Sequence, residues 1–302
     1  MYKIIIHDVG MRDGLQNETT IVPFEKKIEF LKLLMQSGIE YIQVGSFVNP
    51  KVLPQMADTD EIFAYVKNNN LKPENVVLTA LILNEKGMER AFAADVDRIL
   101  MGVSASETHS MKNTRMSVAE ATERIIAIAK ECQNAGYPVQ VSVQSAFGCG
   151  YEGKVPEERV LSILDKYFNA GISSISFADT AGHATPKQII SLFTKTKIMN
   201  PDVVIAAHFH NTYGLGMLNV QTAIDCGATY IETAFGGLGG CPFTKVAAGN
   251  VATEDVVHYL QRAGIIKGID LQKLIELAKN VSDFFGKPLP GYVYKTGPIN
   301  WN

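Results

Sequence analysis

Cysteine is scarce in this chain: four residues in 302, Cys132, Cys149, Cys226 and Cys241, with no C-x-x-C pair among them. That scatter fits reduced thiols in a cytoplasm better than a disulfide framework or a zinc knuckle. Long apolar runs are missing too; no window reaches the roughly 18 uninterrupted apolar residues that a membrane helix needs. Runs of one charge are absent and the net charge is only −3. Nothing therefore favours nucleic acid or an anionic membrane as a partner. The first strand-like segment starts within a few residues of Met1, which leaves no room for a cleavable signal. A soluble cytoplasmic protein is the expectation.

What is present is a core and a beat. Apolar residues make up 46% and charged ones 20%, enough for a sizeable globular interior. Short strand-like segments alternate with helix-like ones eight times: residues 3–9, 41–47, 75–83, 98–104, 139–147, 172–178, 203–210 and 230–235 read as strands. Helical patterns follow each, as at 23–38, where Phe24, Ile28, Leu31 and Met35 share a face and Gly38 stops the run. Eight βα units at this length predict a TIM (β/α)8 barrel over residues 1–265. Residues 266–302 read as a short C-terminal helical extension, a helix and tail packed on the barrel. An open doubly wound sheet would place G-x-G-x-x-G after strand one; here Gly10-Met-Arg-Asp-Gly14 follows instead.

The apolar run Val203-Val-Ile-Ala-Ala ends in His208-Phe-His210-Asn211. Side chains alternate along a strand, so the two imidazoles share a side, about 7 Å apart, and can share one ion. Barrel sites lie at the C-terminal ends of the strands. That rule gathers Arg12 and Asp13, Gln43 and Ser46, Gln144, Ser176 and Asp179, His208, His210 and Asn211, with Asn250 near a glycine loop, Gly236–Pro242. One acid, two imidazoles and an amide at one mouth form a mixed N/O set for a divalent cation. Plainer roles fit each residue singly. Arg12 and Asp13 fit a surface ion pair, Asp179 a turn or cap, Asn250 an N-cap, and Cys241 an inert small residue. Three metal chemistries compete: hydrolysis, ferrous oxygenation, and carbon–carbon bond making or breaking. The last needs a cation beside a developing enolate, which Arg12 supplies.

Gly10-Met-Arg-Asp-Gly-Leu-Gln-Asn-Glu18, Ser46-Phe-Val-Asn-Pro50, Pro54-Gln-Met-Ala-Asp58, His208-x-His210, Gly236-Gly-Leu-Gly-Gly-Cys-Pro242 and Gly249-Asn250 together resemble the 3-hydroxy-3-methylglutaryl-CoA lyase family. The likeness runs from about residue 4 to 280. It implies a carbon–carbon lyase acting on 3-hydroxy-3-methylglutaryl-CoA or a close 3-hydroxyacyl-CoA, giving acetyl-CoA and a 3-oxo acid such as acetoacetate. It further implies Mg2+ or Mn2+ held by Asp13, His208, His210 and Asn250. Arg12, Asp179 and Cys241 take the catalytic positions, as enolate partner, hydroxyl acid/base and enolate proton donor. Gln43, Ser46, Ser176, Lys112 and Asn113 take substrate positions, the last two near the CoA diphosphate. A homodimer is expected, as barrels of this size often pair. The family's usual Glu at position 43 is Gln here, which predicts a less firmly oriented Arg12 and leaves an altered substrate open. A Claisen-condensing acyltransferase, a 2-oxo-acid aldolase, and an acyl-CoA binder without activity are the alternatives.

Overall fold

Eight short strands form the centre of the computed structural model, which describes residues 3–240 and 249–299. They are β1 (Ile5–Asp8), β2 (Tyr41–Ser46), β3 (Val77–Leu81), β4 (Arg98–Ser104), β5 (Val139–Gln144), β6 (Ser174–Asp179), β7 (Val204–Phe209) and β8 (Tyr230–Thr233). Each pairs in parallel with the next, and β8 returns to β1 from Ile5↔Tyr230 to Asp8↔Thr233. Closure leaves no strand edge exposed. The expected barrel is the observed one.

The helices are α1 (Phe24–Gln36), α2 (Thr59–Asn68), α3 (Glu85–Ala93), α4 (Glu107–Thr114), α5 (Val118–Asn134), α6 (Glu157–Asn169), α7 (Pro186–Met199), α8 (Gly216–Asp225), α9 (Thr253–Arg262), α10 (Leu271–Phe285) and α11 (Val293–Thr296). Local chemistry sets their starts. Ser117 and Glu120 exchange side-chain and backbone bonds in a capping box at α5, and Pro186 opens α7, where no N–H is needed. Periodicity did not foretell α4, whose sequence ETHSMKNT carries no apolar stripe. The Ser106 hydroxyl accepts the His109 N–H at 3.1 Å and starts it. None of the described helices is long and apolar enough to cross a membrane.

Alternation decides which side chains enter the barrel. In β5, V-Q-V-S-V-Q, the valines are buried against the helical layer while Gln140, Ser142 and Gln144 point inward. In β6, Phe177 packs on Phe193 of α7 at 5.2 Å between ring centroids, so Ser174, Ser176 and Ala178 face in. The core is thus the shell between strands and helices, where Phe30, Leu34, Val141, Ile205 and Phe209 are fully buried. The barrel's interior mixes polar side chains with apolar ones such as Leu81 and Leu100.

Two irregularities aim the mouth. After β1 the chain turns through Gly10–Gly14, where the Val9 carbonyl accepts three N–H groups, from Arg12, Asp13 and Gly14. Wide turns of this kind often mark functional sites. The β2–β3 register shifts between Gln43 and Gly45, a bulge that re-aims neighbouring side chains. At the other end, α10 follows a turn tied back by the Asp270 N–H to the Ser37 carbonyl, 2.7 Å. Leu289 of the tail sits over Gly236, where an added Cβ would lie 2.3 Å from it. The tail therefore packs on the loop after β8.

Candidate active site

The turn after β1 and the end of β7 bring their polar groups together. Asp13, His208 and His210 each place one ligand atom within 4.8 Å of the others. Asp13 Oδ2 lies 3.6 Å from His210 Nε2 and 3.9 Å from His208 Nε2, and the two Nε2 atoms are 3.2 Å apart. Asn250 donates its amide to Asp13 Oδ2 at 2.8 Å and to the Leu238 carbonyl at 3.0 Å. Its Oδ1 is buried with no protein partner. Ala252 occupies the N-cap of α9, so Asn250 does not cap it. Gly239 closes one side; a Cβ there would sit 2.6 Å from Asn250 Nδ2. Two oxygens and two imidazoles suit a hard divalent cation such as Mg2+ or Mn2+.

The electrostatics agree with a cation site. Burial pushes the Asp13 carboxyl up, yet Arg12 and the imidazoles hold it well below the ordinary range. Burial keeps His210 low and therefore neutral at pH 7. Burial also presses on His208, but its hydrogen bond to Glu232 and the charge of Asp13 win and raise it. A metal ligand must be the neutral imidazole, so affinity should rise with pH.

Arg12 stands beside the cluster. Its Nε donates to Gln43 Oε1 at 2.6 Å and its Nη1 to Asp13 Oδ1 at 2.6 Å. Gln16 adds a bond to the same Asp13 oxygen, 3.0 Å. Gln43 thus remains a partner of Arg12 through its amide oxygen, without the charge assistance that a carboxylate would give.

A cavity of about 500 Å³ opens above and beside this cluster, lined by Arg12, Asp13, Gln43, Ser46, Asn113, Ser176, His208, His210 and Gly240, among others. The structure separates the expected Lys112–Asn113 pair. Asn113 lines the cavity, while Lys112 is exposed with its ammonium 4.0 Å over the Tyr151 ring. Asp179 is fully buried just outside the lining. Its Oδ1 accepts the His183 N–H at 2.7 Å, Oδ2 has no partner, and burial lifts its pKa to about 7. Asn211 turns away and accepts the Gly216 N–H at the start of α8. Cys241 lies outside the described residues.

One residue that sequence reasoning passed over completes the site. Glu232 of β8 accepts from His208 Nδ1 at 3.1 Å and from Gln140 Nε2 at 2.7 Å. This leaves His208 Nε2 toward the cluster, the arrangement that orients metal-binding imidazoles. Burial works against the Glu232 charge, but His208 holds its pKa near about 2. The only signal in the sequence was a charged residue inside an otherwise apolar strand, Tyr230-Ile-Glu-Thr233.

Comparison with known proteins agrees along the whole chain. Residues 3–281 match the HMGL-like family model. The hydroxymethylglutaryl-CoA lyase of Bacillus subtilis is 36% identical over 288 residues, covering 95% of each chain. The (R)-citramalyl-CoA lyase of Chloroflexus aurantiacus is also 36% identical, over 99% of this chain and 96% of that one. Among solved structures, the Bacillus subtilis HMG-CoA lyase superposes with a TM-score of 0.93 at 35% identity, covering 98% of both chains. An HMG-CoA lyase from Acinetobacter baumannii, bound to coenzyme A and 3-methylmalate, gives 0.90 at 36% identity over 98% and 95%.

Proposed function

The chain belongs to the HMGL-like family and is a carbon–carbon lyase; from that premise we propose that it cleaves 3-hydroxy-3-methylglutaryl-CoA, or a close 3-hydroxyacyl-CoA, to acetyl-CoA and a 3-oxo acid. The observation that carries this reading is the meeting of Asp13, His208 and His210 with Arg12 on the lining of one cavity, with Asn250 hydrogen-bonded to Asp13. Bound by those four residues, Mg2+ or Mn2+ would supply Lewis-acid stabilisation of the tertiary hydroxyl oxygen.

The remaining work falls to the chain. Asp179, with a pKa of about 7, is matched to take the hydroxyl proton near neutral pH. The C2–C3 bond then breaks and its electron pair moves into the thioester as an enolate. Arg12 is fixed by Gln43 and Asp13, so its charge is preorganised for that oxygen and needs no rearrangement. Protonation at C2 gives acetyl-CoA, a step the family resemblance assigns to Cys241. Ser46 and Ser176, both buried at the cavity wall, contact the acyl group, and Asn113 the CoA end.

The test is a thioester screen with Mg2+ and Mn2+. Formation of acetyl-CoA and acetoacetate in equal amounts from 3-hydroxy-3-methylglutaryl-CoA is the expected result. Citramalyl-CoA belongs in the same screen because of the Chloroflexus relative. No cleavage of any 3-hydroxyacyl-CoA, with activity appearing only in Gln43→Glu, would replace the lyase by a non-catalytic acyl-CoA binder.

A further inference from the structure

The cavity continues past the ligand cluster to a wall of which the chemistry above uses only Ser176. We propose that this wall, built by β4, β5 and β6, is a selecting subsite for a neutral hydrogen-bonding substituent, a hydroxyl, on the 3-hydroxyacyl group; the proposal rests on the lyase reading and names its substrate class more closely.

Three features point there. Ser142 and Gln144 sit on a strand enclosed by the barrel yet remain partly exposed. At inward positions that exposure can come only from the cavity, which both residues line. Second, the wall is made of small side chains. A Cβ on Gly102 would lie 2.0 Å from Ser142 Oγ, so the glycine gives the hydroxyl its room. Ser176 and Ala178 continue the same surface. Third, the lining holds polar atoms without partners. Gln140 spends its amide nitrogen on Glu232 and leaves Oε1 unmatched. Gln43 accepts from Arg12 through Oε1 and leaves Nε2 unmatched. Ser176 Oγ faces Glu232 without a well-formed hydrogen bond. Gln43, Gln140 and Ser176 are 0–2% exposed, and buried polar groups are otherwise almost always paired.

Charge selects among candidate groups. Arg12 is the one lysine or arginine among the described residues that line the cavity, and it is engaged by Gln43 and Asp13. A carboxylate against the β4–β6 wall would meet no cation and would face Glu232. An alkyl group would leave both donors and the acceptor unmatched. A hydroxyl both donates and accepts, so it answers Gln140 Oε1 on one side and Gln43 Nε2 or Ser142 on the other.

The experiment compares two non-cleavable thioether analogues of the acyl-CoA, alike except for methyl or hydroxymethyl at C3, by calorimetry on the Mg2+-loaded protein. The corresponding thioesters are assayed for turnover in parallel. The native chain should bind the hydroxymethyl analogue about tenfold more tightly, one hydrogen bond's worth. Ser142→Val should reduce that preference to threefold or less, and the bulkier Ser142→Phe should invert it. Equal or weaker binding of the hydroxymethyl analogue overturns the proposal, as does an unchanged preference in Ser142→Val, which keeps the test valid if the Phe variant fails to fold. A retained preference without turnover of either thioester sinks the lyase reading alone. Turnover without preference sinks this inference alone.

Discussion

The two sides of the cavity are made of different material. On the side of β1, β7 and β8 stand Arg12, Asp13, His208, His210 and Glu232, every one charged or titratable and every one partnered. On the β4–β6 side the lining is Leu100, Met101, Gln140, Ser142, Gln144, Ser176 and Ala178, with no charge at all. Both sides come from strands with the same alternation and the same burial. The difference teaches that along the cavity lining the charges stand where a group of opposite sign was brought with them, whereas deeper in the barrel Arg98 of β4 is buried against the Ser174 hydroxyl and the Tyr230 ring. The charged side carries the chemistry. The neutral side can only recognise shape and hydrogen bonds.

Breaking the charged side should have the largest effects. His210→Ala removes one of two imidazoles and should abolish retention of Mn2+ after gel filtration, lowering kcat about a thousandfold or more. Full activity in the metal-stripped variant would end the proposed mechanism. Arg12→Ala should cost about a hundred- to a thousandfold in kcat with metal content intact, a separation that metal analysis reads directly. Asp179→Asn removes the acid/base group. In the native enzyme kcat/KM should rise with pH through about 7, as the Asp179 carboxyl ionises; that limb should vanish in the variant, with a loss on the order of a hundredfold or more. A smaller effect is expected for Glu232→Gln, which keeps the shape but frees the His208 tautomer. Mn2+ affinity should fall about 10- to 100-fold, and saturating metal should restore much of the rate. Unchanged affinity would show that Glu232 does not orient His208.

Much of this was legible in the sequence because strands advertise their faces. V-Q-V-S-V-Q at β5 and the His208-x-His210 pair follow directly from a two-residue period, and closure into a barrel puts their inward positions in one place. What stayed hidden depended on partners distant in sequence. Glu232 looks like any polar strand residue until His208, 24 positions away, meets it at 3.1 Å. Of Lys112 and Asn113 only Asn113 lines the cavity, since neighbours on a helix point about 100° apart, a difference invisible while α4 itself went unrecognised. Asn211 shared the rim with the ligands but lay next to an uncapped helix start, and the Gly216 N–H claimed it.

The rule drawn from the two walls can be sharpened by acids that belong to neither. Asp8 accepts the Thr253 hydroxyl and the Gly10 and Phe235 N–H groups, and Glu254 the Gly236 N–H. Both are buried without a cation, and burial lifts them to about 7 and about 8. Glu232, equally buried but paired with His208, is held near about 2. In the unfolded chain Asp8 and Glu254 would titrate near 4. Between about pH 4 and pH 8 the folded state therefore keeps protons that the unfolded chain has released, so their stabilising contribution is complete below that window and is lost as pH rises through it. Glu232 and Asp13 work the other way, and their contribution is lost only as pH falls below about 4. These two acids should lower the Tm of the metal-free protein from pH 5 to pH 8, most clearly above about pH 6.5, since below it His7 and His210, which burial holds neutral, add stability as pH rises. Glu254→Gln should flatten the upper part of that slope, because an amide has no proton to lose. A slope that Glu254→Gln leaves unchanged would mean that this acid holds no proton through the window, and the contrast between the walls would lose its physical basis.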